Sequence, residues 1–295
     1  MHVQMADHPP LELGEGPRWD AAARRTLLVD ILGGRVLRRP AGQAHYDVTA
    51  VDGHVGAVAP VSGDTTRLLA AIDDGVGLVD LGTGAVAWLA RPERARSGRV
   101  RMNDGACDPQ GRFVVGTMSY DEQPGAGRLW RIDGRGRVEQ LLDRCTVPNG
   151  LVWSGDGSHL FHVDSGHGTI TRYRYDDGGV HQPEVIYRPA DGDGTPDGMC
   201  GDADGTLWVA FWGGACVRRL TTDGRVLDVV RLPMTQTTAC WFVGDAQDHL
   251  LVTSARTSLD DPQAADGRSA VIDVGGGVRG WAATPFALQD PSVGA

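Results

Sequence analysis

A repeat constrains this chain more than any other feature. One motif returns six times: an Asp or Ser, a Gly-containing turn, then an apolar run of strand character. It occurs as Asp20 before TLLVDI, Ser62 before RLLAAI and Asp108 before RFVVGT, then as Ser154 before HLFHVD, Asp202 before TLWVAF and Asp245 before HLLVTS. These anchors lie 42 to 48 residues apart, so six similar units fill nearly all of the 295 residues. A fixed period of this length marks a repeat architecture, in which each unit buries its apolar faces against its neighbours. Within the fifth unit, LWVAFW is followed by a Gly213-Gly214 turn, ACVRRLTT, an Asp223-Gly224 turn and RVLDVVRL. Apolar runs joined by two turn residues read as hairpins, and long helical periodicity is missing. About 45 residues and four strands per unit are the dimensions of a propeller blade. The expected fold is therefore all-β: a six-bladed β-propeller forming one domain over 1–295, with 289–295 as a frayed tail. The N-terminal strand is expected to complete the last blade as a clasp.

Composition narrows the chemistry. All 28 basic residues are arginine, so a lysine Schiff base and the lysine of a P-loop are both excluded. Against them stand 38 acidic residues, a net charge of −10, which argues against a nucleic-acid partner. No apolar run approaches a bilayer span, and Met1 to Pro10 lacks the pattern of a secretory signal. Cys107, Cys145, Cys200, Cys216 and Cys240 are scattered, with neither a disulfide framework nor zinc-site spacing. These features imply a soluble, cytoplasmic protein without a membrane partner.

In a propeller the innermost strand of each blade lines the central channel, so equivalent positions converge near the axis. Counting back five residues from each anchor gives Glu15, Ala57, Asn103, Asn149, Asp197 and Cys240. Four of the six carry side-chain oxygen. Three of those precede glycine directly, and the fourth reads Asn103-Asp104-Gly105. N-G and D-G are ordinary turn dipeptides taken singly. Four in register point instead to an oxygen-rich channel site for one divalent cation. Calcium and magnesium favour such donors, and zinc or manganese fit when water completes the shell. Arg101 lies two residues before Asn103, so strand alternation puts both on one side. Cys240 has no evident base and reads as buried packing, as do Trp19, Trp153 and Trp208. His54, His162 and His167 lack the companions of a metal site.

The stretches LGEGPRWD at 13–20, RMNDGACDPQGRFVVGTM at 101–118, PNGLVWSGDG at 148–157, HVDS at 162–165 and PDGMCGDADGTLWVAFWGG at 196–214 carry a recognisable pattern. With them the chain resembles the SMP-30/gluconolactonase/regucalcin-like family of six-bladed propellers over essentially its whole length. The resemblance implies metal ligands at Glu15, Asn149 and Asp197, and substrate contacts at Arg101 and Asn103. It implies a further acidic contact just past the G-T-M motif, which by position falls on Asp121. The implied activity is metal-dependent hydrolysis of a small-molecule sugar lactone to the aldonic acid. The ion would polarise the carbonyl and Asp197 would assist water attack, with Asp104 as the reserve base. Two other functions fit the same positions. One is hydrolysis of a non-sugar ester or phosphotriester, the other a non-catalytic calcium-binding propeller.

Overall fold

The computed structural model describes residues 2–289, so all of the expected 289–295 tail except Gln289 lies outside it. Among the described residues twenty-four strands form six four-stranded antiparallel sheets, and each sheet is one blade. The inner strands are Gly14–Asp20, Val55–Val61, Val100–Cys107, Pro148–Trp153, Thr195–Gly201 and Gln236–Val243. Each contacts the next, and the last contacts the first, which closes the ring. Every residue of the first three and of Pro148–Trp153 is buried. Outer strands such as Val138–Cys145 are largely exposed. The expected clasp is present: His2–Met5 pairs with Ala270–Asp273 as the outermost strand of the sixth blade.

The apolar core is divided among the junctions between blades, one cluster to each. Leu27, Val29, Val58 and Leu68 join blades 1 and 2. Trp208, Val217, Phe242 and Leu250 join blades 5 and 6. Trp19, Leu28, Val243 and Leu251 close the ring between blades 6 and 1. Because each sheet buries both faces against its neighbours, the axis is free to carry polar groups. The buried tryptophans Trp19, Trp153 and Trp208 belong to these junctions, as expected.

The anchors act in the turns. Asp108 accepts from the Gln110 and Arg112 amides at 3.0 and 2.8 Å and from Arg112 Nε at 2.6 Å. Asp202 accepts from the Asp204 and Thr206 amides and from Trp208 Nε1 at 2.9 Å. A short acceptor is needed there because the tight turn leaves amides without strand partners. At this same end a segment of irregular structure, 274–289, runs back beneath the ring. The Ala203 amide donates to Arg279 O at 2.7 Å, and Phe286 exchanges bonds with Pro60 O and the Ser62 amide. This strap was invisible in the repeat count, because it belongs to no blade. Among the described residues no helix is long and apolar enough to cross a membrane, and all five cysteines are free and buried.

Candidate functional site

At the end of the channel opposite the strap lies a cavity of about 470 Å³. Glu15, Asn103, Asn149, Asp197 and Arg101 all line it. Each of the four oxygen-bearing residues sits at a strand irregularity. Pairing skips from Pro148 to Leu151, for example, and from Pro196 to Met199, so Asn149 and Asp197 leave the ladder. A bulge of this kind re-aims a side chain, here toward the axis. The glycines that follow Asn149 and Asp197 are required by crowding, and Gly16 after Glu15 by its φ of 54°. A Cβ on Gly150 would lie 2.7 Å from Asp197 O, and one on Gly198 would lie 2.9 Å from Thr238 O and 2.8 Å from Ala239 Cα.

The same packing corrects two positions. Gly198 abuts Thr238 and Ala239, and the sixth blade's pairing skips from Thr237 to Cys240, so Thr238 rather than Cys240 is equivalent to Asp197. Likewise Gly56 abuts the carbonyls of Met102 and Asn103, which makes Val55 rather than Ala57 the second blade's counterpart. In these two blades the inner strand carries two more residues before the anchor, so a count of five stops two residues short. Neither blade adds a carboxylate or amide: Thr238 Oγ1 donates to Gly14 O at 2.5 Å and ties blade 6 to blade 1. Ala57 and Cys240 are buried in the apolar clusters.

A chain of hydrogen bonds orders the polar wall. Arg101 Nη1 donates to Asn103 Oδ1 at 2.6 Å and to Met102 O at 3.1 Å. Asn103 Nδ2 donates to Asn149 Oδ1 at 2.7 Å, and Asn149 Nδ2 donates to Ser165 Oγ at 2.8 Å. Ser165 then donates to Pro196 O at 2.7 Å. Ser165 was not singled out from sequence, although its place just past a second strand, as the last residue of the quoted HVDS run, was a usable signal. The structure leaves Asp121 outside this cavity, in a depression on the far side of its loop with Arg96 and Arg99. Its neighbours Tyr120 and Glu122 line the cavity instead. Glu122 adopts φ 51°, and the chain bends sharply there. His54, from blade 2, meets the Tyr120 hydroxyl at 2.8 Å through Nδ1.

Electrostatics set the centre apart. Burial drives the Glu15 carboxyl up to about 8, and the nearby Asp104 adds to the rise. Asp197 is raised by burial and then by Glu15 and Asp104. Asp197 Oδ1 is buried without any hydrogen-bond partner. Asp104 is also buried, but it turns away from the cavity toward Arg18, whose Nη2 is 3.5 Å from its Oδ1. Arg18 stacks over Trp241 at 4.2 Å to the ring centroid, below the site. Two buried carboxylates with too little positive charge between them, one with an orphaned oxygen, fit a divalent cation. Among the described residues no group of three His, Cys, Asp or Glu side chains forms a metal cluster. The oxygens gathered here that could hold an ion come from two carboxylates, Glu15 and Asp197, and from the amide of Asn149.

Six four-stranded blades around a channel with an acid-and-amide cluster at one mouth define the class: a six-bladed propeller with a small-molecule cavity on its axis. The chain belongs to the SMP-30/gluconolactonase/LRE-like family, whose profile matches residues 13–256. It is 33% identical to regucalcin of Gallus gallus over 93% of this chain and 95% of that protein. It is 30% identical to YvrE of Bacillus subtilis, named by inference as a sugar lactone lactonase, again over 93% of this chain and 95% of that one. A crystal structure described as a calcium-binding protein, regucalcin, from Agrobacterium tumefaciens superposes with a TM-score of 0.89 at 30% identity. That match covers 96% of this chain and 97% of the other.

Proposed function

We propose that the protein hydrolyses a sugar lactone to the corresponding aldonic acid, with one divalent ion held by Glu15, Asn149 and Asp197. The observation that carries this reading is the pair of buried carboxylates, Glu15 and Asp197, on the wall of a cavity that also presents Arg101 and Asn103. An ion bound there supplies polarisation of the lactone carbonyl and stabilisation of the oxyanion. The protein's own groups do the rest. Arg101, held by Asn103, presents a guanidinium to the ring substituents and to the carboxylate that forms. Asp197 accepts the proton of the attacking water. The C–O bond of the ring then breaks, and that proton passes to the departing alkoxide. Asp104 is the weaker candidate for the base, because its carboxyl is turned to Arg18 and does not line the cavity.

The membership of a relative named as a sugar lactone lactonase supports the substrate class. A second reading, a calcium-binding protein without turnover, is favoured by the description of the Agrobacterium structure. One assay separates them: purified protein with a panel of sugar lactones and a pH indicator, with and without chelator. Acid release that stops with chelator and returns with a divalent ion supports the lactonase. Ion binding by calorimetry without acid release from any lactone overturns it in favour of the second reading. Asp197→Ala should lose both ion binding and turnover, and a fully active variant would refute the site.

A further inference from the structure

The hydrogen bonds on the cavity wall run in one direction only. At one end stands Arg101, a guanidinium that can only donate, and it donates to Asn103 Oδ1. At the other end stands Pro196 O, a carbonyl that can only accept, and it takes the hydroxyl hydrogen of Ser165. Between these ends lie two side-chain amides, and one arrangement of them satisfies both. Asn103 keeps its oxygen toward Arg101, so its Nδ2 donates to Pro148 O at 2.9 Å and to Asn149 Oδ1 at 2.7 Å. Ser165 has committed its hydrogen to Pro196 O, so its Oγ can only accept. It accepts from Asn149 Nδ2 at 2.8 Å.

This direction matters most at Asn149. A carboxylate such as Glu15 or Asp197 presents oxygen whichever way it turns, but an amide turned over presents an NH2 group, which repels a cation. A turned Asn149 would also set its NH2 against that of Asn103, and would bring its oxygen to a Ser165 Oγ with no hydrogen to give. As placed, Asn149 Oδ1 accepts one hydrogen bond and keeps its second lone pair. Ser165 is itself fixed from behind. Its amide donates to Val147 O at 2.9 Å. The preceding Asp164 accepts from the Thr146 and Val147 amides, both at 2.9 Å, and from the Gly166 amide at 3.2 Å. The turn after His159–Asp164 is thereby tied to the residues just before Asn149.

Resting on the ion site of the lactonase reading, we propose that Ser165 is a positioning residue for the ion. By taking the amide nitrogen of Asn149 it turns the amide oxygen to the cation, and it acts through Asn149 rather than on the ion itself.

Calorimetry without lactone tests this, using calcium or manganese ion, whichever binds the parent more tightly. Ser165→Ala should raise the ion Kd by about 10- to 100-fold. Asn149→Asp puts oxygen at both ends of the side chain, so in that background Ser165→Ala should change the Kd by less than about twofold. A Ser165 that only joined blade 4 to blade 5 through Pro196 O would cost the same affinity in both backgrounds, and that result overturns the proposal. So does an unchanged Kd in Ser165→Ala alone; either outcome leaves the ion site standing. If Asn149→Asp does not bind the ion, urea unfolding of the single variant decides. Ser165→Ala should keep the parent's midpoint in chelator and lose most of the rise that the ion brings. A fall in chelator as large as the fall with ion overturns the proposal. A parent that binds neither ion refutes the ion site itself, and the proposal with it.

Discussion

Replacing Glu15 by Gln should make the metal-free protein more stable near neutral pH, and the size of the gain follows from the site. In the folded chain burial and Asp104 raise Glu15 from 4.5 to about 8. The folded state therefore binds more protons than the unfolded state across that window, and stability must fall as pH rises through it. Each pH unit costs about 1.4 kcal/mol, so Glu15 alone removes about 3 kcal/mol by pH 7 and slightly over 1 more by pH 8. His162 opposes this on the acid side. Burial lowers it from 6.5 to about 4, so its contribution is lost as pH falls through that range, also by about 3 kcal/mol. The two trends offset one another between pH 4.5 and 6.5. The clean window is pH 6.5 to 8, where Glu15 should cost about 2 kcal/mol.

Urea unfolding in chelator, at half-unit steps from pH 5 to 8.5, reads this directly. The parent should weaken above pH 6.5, and Glu15→Gln should weaken less steeply, because burial still raises Asp197 and Asp104 in the variant. A divalent ion at about 100 times its Kd should restore about 2.7 kcal/mol to the parent at pH 7.5 and much less to the variant. Parallel stability curves for parent and variant from pH 6.5 to 8 would refute the claim that Glu15 is buried against uncompensated negative charge.

Three further perturbations probe the scaffold and the rim. Gly198→Ala pushes a Cβ against Ala239 and Thr238 O, and should cost about 1–3 kcal/mol in denaturant unfolding; a neutral change would contradict the close approach at the axis. Phe286→Ala empties the fully buried site where the strap meets blades 2 and 3, for about 3–5 kcal/mol by the same measurement, and a loss under 1 would mean the strap is not docked. His54→Ala frees the Tyr120 hydroxyl and should raise the lactone KM about fivefold with an unchanged melting temperature; an unchanged KM would show that Tyr120 needs no support from blade 2.

The ease of reading each residue from sequence tracks how local its cause is. Glu15, Asn103, Asn149 and Asp197 were legible because a propeller turns equal spacing along the chain into convergence in space. The glycines beside Asn149 and Asp197 record the crowding that convergence brings, and the one beside Glu15 records a positive φ. Ala57 and Cys240 were misplaced where blades 2 and 6 carry two extra inner-strand residues, a change that composition does not mark. Trp212, Tyr120 and Glu122 were out of reach for another reason: their positions depend on contacts between blades, Trp212 with Leu13 and Tyr120 with His54. The strap escaped notice because it carries no repeat. This division has a physical consequence. Stability resides in six apolar junctions and the charged centre in the inner strands, whereas Tyr120 and Glu122 on the cavity wall stand on a connection between strands. Rim substitutions should therefore alter which lactone is taken at little cost in stability. Substitutions at the axis must change stability and chemistry together, because there the same buried charges serve both.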